Sequence, residues 1–495
     1  MTRSFVIIGG GIGGLSAAIR LAAAEHPVTV IEQYQTIGGK VSEIAANGFR
    51  WDTGPSVISM RPVIDELFQY AGKSTRDYLS LLPVDPLARY FWADGSPFDA
   101  SRMPHLMLQR LREFVGDDDA RGYMHYLQYA RGIHDILSPA YIYDDPPPVW
   151  PAAKTPLPET SAVDPLRTMA EAIDSFVASP KLRQMLKRYA TYVGASPYSA
   201  PDALNMIAHI ALSGGVWYPQ GGVYSVARAL ERLAAELGVT VITGCRVDEI
   251  KIKNHRVIGL LANGEFFPAD AVIANIDAET VYQNLLPQVP FNSTRLERPA
   301  HSEYSSSCFV LMLGVEGTHP QLAHHNILFS DDDPREFADI FERQLAPEDP
   351  TLYIAITSKT ESSHAPEGCE NWFVRVNVPS ASLNLDWRSQ SDRYRDHILG
   401  ILARRGLDIR ARIRAEYQLP PPEFETKTEA QHGALYELSP DDRLKALRRP
   451  PNRSPDIRGL YFTGGTTHSG TGVPLAMLSG KMVAKLACAD LERTT

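Results

Sequence analysis

The sequence predicts an α/β fold of more than one lobe, and three observations carry this prediction. An apolar run at residues 5–8 leads into a glycine-rich turn, which is followed by the spacing of an amphipathic helix. A second apolar run at residues 28–31 ends on Glu32. A third, at residues 459–462, precedes a long helical pattern at residues 474–491. Buried strands that alternate with helices are typical of a parallel sheet covered by helices.

The glycine-rich turn has the spacing Gly-X-Gly-X-X-Gly, formed by Gly9, Gly11 and Gly14, with Gly13 inside it. The first glycine permits a tight turn, the second lets a pyrophosphate approach the backbone, and the third permits close packing of helix on strand. Glu32 can accept hydrogen bonds from ribose hydroxyls, and its charge disfavours a 2′-phosphate. The turn therefore predicts a dinucleotide site at a helix N-terminus, for which NAD and FAD both remain open.

Length and composition limit the class of protein. A chain of 495 residues with 44% hydrophobic content can bury a large core and should divide into two or three lobes. A net charge of −9 argues against a nucleic-acid partner, because a phosphate backbone demands a basic face. The four cysteines are far apart, so they indicate neither a disulfide framework nor a zinc ribbon, and a reducing compartment fits. No signal peptide is expected, and no window reaches the roughly eighteen apolar residues that cross a bilayer.

Periodicity predicts the remaining elements. Apolar runs predict strands at 89–98, 239–243, 247–252, 255–261, 265–267, 271–276, 307–314, 352–357 and 372–378. Helical spacing predicts helices at 107–114, 121–137, 226–237 and 393–405. The Asn263-Gly264 pair between two runs is a strong hairpin signal. The proline-rich stretch 144–158 predicts a linker or lid loop, because proline favours extended polyproline geometry.

Two further patterns carry specific expectations. Residues 398–414 combine apolar and arginine positions and predict an amphipathic surface helix, with a helix lying on anionic lipid as the alternative. His324 and His325 are adjacent, so on a strand their side chains would point to opposite faces and could not bind one metal ion together. The sequence therefore predicts no metal site.

Six motifs follow one another along the whole chain. They are GGGIGG at 9–14, GGK at 38–40, DTGP at 52–55, WYPQGG at 217–222, ADAVIAN at 269–275 and FTGGTTHSGTGVPLAMLSGK at 462–481. Together they resemble the bacterial-type carotenoid desaturases, the phytoene desaturase family within the wider flavin amine oxidase-like superfamily. Two residues depart from the family's pattern: Lys40 stands where arginine is more usual, and Ser469 where proline commonly follows the histidine. Lysine can still neutralise a phosphate as a point charge.

The resemblance implies a glutathione-reductase-like fold, in which a Rossmann FAD-binding domain carries an inserted mixed-sheet substrate domain and a helical cap. The FAD-binding domain is expected in three segments, 1–85, 216–285 and 436–495. Residues 86–215 are expected to form part of the substrate domain plus a helical region able to associate with a membrane. Residues 286–435 are expected to form the rest of the substrate-binding domain.

The resemblance also implies that FAD is the cofactor. A near-flavin polar role is expected for His468, the only catalytic candidate. For Val247, which the resemblance places with its backbone at the adenine, an ordinary place in a strand core is the alternative. The residues expected to bind the cofactor are Gly9, Gly11, Gly13, Gly14, Glu32, Gly39, Lys40, Asp52, Gly54, Pro55, Val247, Asn275, Gly464, Gly465, Gly472, Val473 and Pro474.

The reaction that the resemblance implies is desaturation of an acyclic carotenoid, with hydride transfer to flavin N5 and loss of a proton. The alternatives are a hydroxyneurosporene- or methoxyneurosporene-type 3,4-desaturase, a carotenoid isomerase or ketolase, an amine oxidase, and an isoprenoid-binding escort protein without redox activity. The carotenoid would come from the lipid bilayer, so a cytoplasmic protein docked peripherally on the membrane is expected. Oxygen or a quinone would accept the electrons.

Overall fold

The structure is a computed structural model. It describes residues 2–143, 164, 166–287, 289, 305–380, 385–428, 430, 433–436 and 450–492. The proline-rich stretch 144–158, for which a linker or lid loop is expected, lies outside these residues.

The described elements form sheets that are covered by helices. The strands are β1 Phe5–Ile8, β2 Val28–Ile31, β3 Glu43–Ala46, β4 Phe49–Asp52, β5 Leu81–Pro83, β6 Ala88–Phe91, β7 Pro97–Ala100, β8 Trp217–Pro219, β9 Thr240–Ile242, β10 Val247–Lys253, β11 Arg256–Ala262, β12 Glu265–Pro268, β13 Ala271–Ala274, β14 Ser307–Glu316, β15 His325–Leu328, β16 Leu352–Ile356, β17 Cys369–Val378, β18 Ile413–Leu419 and β19 Leu460–Phe462. The helices are α1 Ile12–Ala23, α2 Arg61–Tyr70, α3 Pro104–Val115, α4 Asp117–Ser138, α5 Met169–Phe176, α6 Pro180–Lys187, α7 Met206–Gly214, α8 Tyr224–Glu236, α9 Ala278–Thr280, α10 Asp333–Phe341, α11 Trp387–Arg404, α12 Pro421–Thr428 and α13 Val473–Glu492.

A parallel sheet with the strand order β19-β13-β1-β2-β9 draws its strands from the beginning, the middle and the end of the chain. The predicted strands at residues 5–8 and 28–31 are confirmed with the same bounds. Side chains of β1 alternate between the faces, as a strand requires. Phe5 and Ile7 pack with α1, α8 and α13, whereas Val6 and Ile8 pack with β10 and β11. Both faces are therefore buried, which is typical of a parallel sheet.

The predicted hairpin at Asn263-Gly264 is confirmed. Strands β11 and β12 pair antiparallel, with Ala262 opposite Glu265, so two residues make the turn. Both have positive φ, 48° at Asn263 and 78° at Gly264. That is the conformation that a two-residue hairpin turn requires at both positions.

A seven-stranded mixed sheet with the order β18-β14-β17-β16-β15-β6-β7 forms the second layer, which we call the large sheet. Strand β14 shows how both of its faces are buried. Phe309 and Leu311 pack with α11 on one face, whereas Val310 and Met312 pack with α3 to α7 on the other. The space between the large sheet and helices α3 to α7 is hereafter the lobe interior.

The expectation of one amphipathic helix over residues 398–414 is wrong. Helix α11 ends at Arg404, Gly406 follows with φ of 80°, and Ile413 begins β18. The apolar positions Ile398 and Leu402 are buried against the large sheet, so they serve the core. Across the described parts of the chain, no helix combines the length and apolar character that a membrane span requires.

Helices α1 and α13 approach each other closely beside the parallel sheet. The hydroxyl of Ser16 donates a hydrogen bond of 2.9 Å to the carbonyl oxygen of Met477. A Cβ atom on Gly480 would lie 2.6 Å from the carbonyl oxygen of Gly13 and 2.8 Å from the amide nitrogen of Ala17. Only glycine at residue 480 therefore permits this contact between the two ends of the chain.

We expect Gly480→Ala to lower the free energy of unfolding by about 1–3 kcal/mol, because backbone atoms must shift to admit the methyl group. The matched control is Gly132→Ala in α4, where a Cβ atom would meet nothing within 4 Å. This control should raise the stability by up to about 1 kcal/mol, since alanine is the better helix former. Urea unfolding followed by circular dichroism measures both, and equal effects of the two changes would contradict the close contact.

Candidate functional site

The glycine turn forms a shallow hollow at the start of α1, which we call the cradle, made by Gly9, Gly11, Gly13, Gly14 and Gly464. Gly9 has φ of 91° and turns the chain from β1 toward the helix. Gly11 is the N-cap, and no side chain caps the helix start. The amides of the first turn and the positive end of the helix dipole are therefore available to an anion.

Asn275, at the end of β13, holds the cradle together. Its side-chain nitrogen donates a 3.3 Å hydrogen bond to the carbonyl oxygen of Gly9. Cβ atoms on Gly11, Gly13 and Gly464 would each lie 2.7 Å from the Asn275 side chain. The structure thus brings five predicted cofactor residues from the chain's beginning, middle and end into contact.

The loop from Gly464 to Gly472 leads from β19 into α13, whose first residues are Val473 and Pro474. Gly464 and Gly472 have φ of 106° and 121°, and the carbonyl oxygen of Gly465 accepts a 3.0 Å hydrogen bond from Thr471. The side chain of Val473 is buried in the same cluster as Ile58.

His468 is 4% exposed in this loop, and its backbone is held by a residue that the sequence reasoning missed. The side-chain nitrogen of Asn452 donates to the carbonyl oxygen of His468 at 2.8 Å and lies 3.2 Å from the hydroxyl oxygen of Ser479. The amide of Gly464 donates to the same Ser479 hydroxyl oxygen at 3.2 Å. Ser479 lies inside the C-terminal motif, whereas Asn452 carries no local signal.

Glu32 is buried at the end of β2, with 5% of its surface exposed. One carboxylate oxygen accepts a 2.7 Å hydrogen bond from the amide of Gly10, and the other accepts one of 2.9 Å from the amide of Tyr34. A carboxylate has about four acceptor sites, so capacity remains for ribose hydroxyls. The side chain of Val247 is buried in the strand core with Val6, which leaves only its backbone for the expected adenine contact.

The loops at 38–40 and 52–55 touch each other. A Cβ atom on Gly54 would lie 1.8 Å from the carbonyl oxygen of Lys40, so the two backbones are in contact. Gly39 packs on the cradle, since a Cβ atom on Gly39 would lie 3.4 Å from the Cα atom of Gly11. The predicted residues Gly39, Lys40 and Gly54, with Pro55 next in the loop, are therefore close in space.

Asp52 is engaged in an ion pair. Its carboxylate accepts hydrogen bonds of 2.7 and 2.6 Å from Arg50 and one of 3.1 Å from the amide of Tyr224. The guanidinium of Arg50 lies against Gly222, where a Cβ atom would be 1.9 Å from a guanidinium nitrogen. Burial alone would lower the pKa of Arg50, but the carboxylates of Asp52 and Glu43 outweigh burial and raise the pKa. The pair fixes the loop that carries Gly54.

A polar chain connects the same loop to the large sheet. The hydroxyls of Ser56 and Tyr353 are 2.7 Å apart, and that of Tyr353 lies 2.8 Å from Nδ1 of His325. The rings of His324 and His325 have centroids only 4.4 Å apart, so the expectation that they point to opposite faces is wrong. Strand β15 begins at His325, and strand alternation therefore does not apply to His324. Among the described residues, no group of three side chains could hold a metal ion.

Residues 12–488 match the family model described as flavin containing amine oxidoreductase. The chain belongs to this family. A 4,4′-diaponeurosporene oxygenase of Staphylococcus aureus strain MSSA476 is 35% identical over 494 residues, which cover 98% of each chain. The match confirms the resemblance to flavin enzymes and confirms FAD as the cofactor.

Two solved structures confirm the predicted fold class. An oxidoreductase from Methanosarcina mazei superposes with a TM-score of 0.66 at 15% identity, covering 97% of this chain and 100% of the other. Cyclohexylamine oxidase from Brevibacterium oxydans IH-35A superposes with a TM-score of 0.59 at 16% identity, covering 100% of both chains. At such identities the likeness concerns the fold alone.

The residues present fit the FAD of this flavin amine oxidoreductase. The uncapped start of α1 suits a pyrophosphate, and the glycines of the cradle allow Asn275 and the loop of Gly464 to pack closely against this helix start. Glu32 retains acceptor sites for the ribose. Lys40, in an exposed loop beside the cradle, adds a positive charge.

We expect Glu32→Ala to weaken FAD binding by about tenfold to a hundredfold, because hydrogen bonds to a charged group are worth about 1.5–3 kcal/mol. Titration of the apoprotein with FAD, followed by flavin fluorescence, measures the dissociation constant. Glu265→Ala, on an exposed glutamate of β12, is the control and should leave it unchanged. An unaltered FAD affinity in Glu32→Ala would show that this carboxylate does not hold the ribose.

We expect His324, which lies beside the polar chain, to make the folded protein less stable in acid. Burial, with a smaller effect of His364, lowers the pKa of His324 from 6.5 to about 4. Between these values the unfolded chain binds more protons than the folded protein, so stability is full above pH 6.5 and is lost as pH falls toward 4. Between pH 7 and 5 this group alone should remove about 2 kcal/mol of stability.

The test compares His324→Gln with the native chain in urea at pH 7 and pH 5. We expect the variant to lose less stability between the two pH values, by about 2 kcal/mol. His105→Gln, on an exposed histidine of α3, is the matched control. An identical loss in His324→Gln and the native chain would contradict a buried neutral His324.

Proposed function

We propose that the protein is an FAD-dependent oxidoreductase that adds oxygen to an acyclic carotenoid. The observation that carries the proposal is the 35% identity to 4,4′-diaponeurosporene oxygenases over 98% of both chains. Coverage of that extent includes the large sheet and its helices as well as the FAD-binding residues. The similarity therefore extends to the part of the molecule in which a substrate would be selected.

Apolar and aromatic side chains on both sides of the lobe interior are of the kind that pack against a hydrocarbon polyene. Tyr90 is stacked on Phe329 at 5.8 Å between centroids, and Tyr123 and Tyr189 are buried in the same cluster. Burial of apolar surface is favourable by about 25 cal/mol per Å², which supports this lobe as the part that selects a hydrocarbon substrate.

The cofactor and the protein would contribute different parts of the reaction. When bound, FAD supplies the acceptor for the electrons removed from the substrate. The cradle and Glu32 orient the cofactor, and the Arg50–Asp52 pair fixes the loop that reaches from the cradle to the large sheet. Burial and His324 lower the pKa of His325 well below its ordinary value, so this ring is neutral at neutral pH and forms an uncharged hydrogen bond with the hydroxyl of Tyr353.

Desaturation is the second candidate, and the six motifs shared with carotenoid desaturases favour it. Both reactions oxidise the carotenoid, so the FAD site alone does not separate them. The products distinguish the two reactions, because desaturation only removes pairs of hydrogen atoms, whereas oxygenation adds oxygen.

We expect the FAD-loaded protein, given neurosporene or 4,4′-diaponeurosporene in liposomes under air, to form a product that contains oxygen. Mass spectrometry of the extracted pigment gives the elemental formula. A product that has only lost hydrogen would replace oxygenation by desaturation, and an isomer of unchanged formula would contradict both. Glu32→Ala, which should bind FAD weakly, is the control for background oxidation and should regain activity at high FAD.

We also propose that the protein takes its substrate from the cytoplasmic membrane by peripheral docking and that oxygen or a quinone reoxidises the flavin. A hydrocarbon polyene partitions into the bilayer, which supports the first proposal. Co-sedimentation of the purified protein with liposomes tests it, and we expect the protein in the pellet. Protein that stayed in the supernatant with neutral and anionic lipids alike would contradict docking.

A further inference from the structure

An arginine stands in the middle of the large sheet with its side chain toward the lobe interior. Arg375 lies in β17 between Val374 and Val376, each 1% exposed, and its neighbours across the sheet are Val310 and Tyr353. Arg375 nevertheless keeps accessible surface. Val310 and Tyr353 belong to the face of the sheet that packs on the lobe interior, so Arg375 lies on that face.

A second guanidinium lies near the first. Arg188 follows α6 and is 7% exposed, and it donates a hydrogen bond to the hydroxyl of Thr191. The Nε atoms of Arg188 and Arg375 are buried and have no hydrogen-bond partner. Burial and the nearby Arg375 guanidinium lower the pKa of Arg188. We call these two residues the arginine pair.

Other buried guanidiniums of the molecule are matched by carboxylates. Arg20, which is 4% exposed, pairs with Glu66, and Arg50 pairs with Asp52 and Glu43. Within the described ranges, neither member of the arginine pair forms an ion pair. Buried charges are ordinarily paired, since leaving one uncompensated is strongly unfavourable.

Two acidic residues, Glu336 and Asp333, line a cavity of about 10 Å³ together with Arg188, and the cavity has room for about one water molecule. The carboxylate of Asp333 accepts a 2.6 Å hydrogen bond from the hydroxyl of Tyr198, and Glu336 attracts Arg188. The carboxylate of Glu336 already accepts hydrogen bonds from the amide and the hydroxyl of Thr351. Burial raises the pKa of Glu336 to about 7, so its negative charge is incomplete at neutral pH.

The arginine pair lies beside the loop that the family resemblance places near the flavin. The guanidinium of Arg375 is 5.7 Å from the ring centroid of Tyr353. The hydroxyl of Tyr353 is 2.7 Å from that of Ser56, the residue that follows Pro55. Tyr436 also lies near Arg375. It helps to raise the pKa of Arg375, which burial alone would lower. Two positive charges and tyrosine hydroxyls thus meet inside the lobe.

From this arrangement we propose that Arg375 and Arg188, with the hydroxyl of Tyr436, bind a carboxylate group carried by the polyene. The proposal rests on the proposed function and specifies which part of an oxygenated chain the protein recognises. Guanidinium groups match carboxylate oxygens in a two-point geometry. A hydrocarbon has no group that would compensate these charges, whereas an oxygenated polyene brings one.

Fluorescence titration of the FAD-loaded full-length protein with cis-parinaric acid and with its methyl ester tests the proposal without turnover. Both probes are linear polyenes of equal length, and only the acid carries a carboxylate. We expect the native protein to bind the acid at least about tenfold more tightly than the ester, because charge-assisted hydrogen bonds are the strong ones. Equal affinities would overturn the proposal even if no variant folds.

Arg375→Gln and Arg188→Gln should each reduce the preference for the acid while leaving the affinity for the ester unchanged. Arg388→Gln, on an exposed arginine of α11, is the control and should keep the preference. A change in FAD affinity with the acid preference intact would overturn the assignment, because the arginine pair would then serve the cofactor.

The proposal for the arginine pair and the proposed function can each be contradicted without the other. Oxygenated pigment without any acid preference would overturn the arginine pair and leave the proposed function standing. An acid preference without any carotenoid product would support the arginine pair and contradict the proposed function.

Discussion

The close approach of three backbone segments at the cradle is the constraint on which the rest of the structure depends. Helix α13 reaches α1 at Gly480, and the loop before α13 reaches Asn275 at Gly464, with no room for a Cβ atom at either glycine. Each contact joins residues far apart in the chain, so the parallel sheet closes only when the chain's two ends meet. The anion-binding start of α1 and the loop of His468 are thereby fixed relative to each other.

The large sheet is attached to this unit through a small set of polar contacts. The side-chain nitrogen of Asn371 donates a 2.6 Å hydrogen bond to the carbonyl oxygen of Arg50, and Ser56 meets Tyr353 at 2.7 Å. Gly314 lies against the ring of Phe49, where a Cβ atom would be 2.6 Å away. These contacts converge on β4 and the loop that follows it, so residues 49–56 help to position the lobe interior relative to the cradle.

Buried charges are arranged differently around the cradle and in the lobe interior. Around the cradle, buried charges are compensated within the protein, as in the pair of Arg50 with Asp52. In the lobe interior neither Arg188 nor Arg375 forms an ion pair within the described ranges, and burial raises the pKa of the nearby Glu336 to about 7. A protein that handled only hydrocarbon would gain nothing from such an arrangement, whereas one that handles oxygenated polyenes gains selectivity for the oxygen-bearing group.

The sequence by itself determined the FAD-binding unit, because the strands at 5–8 and 28–31 and the turn at Asn263-Gly264 follow from local periodicity and backbone conformation. The full-length motifs likewise indicated the flavin family. Only the tertiary structure decided which side chains meet across the fold. Asn452 beneath His468, the contact between His324 and His325, and the pairing of Arg188 with Arg375 depend on residues that are distant in sequence or on where a strand begins. No local pattern records such contacts, since burial and electrostatics arise only when the segments pack together.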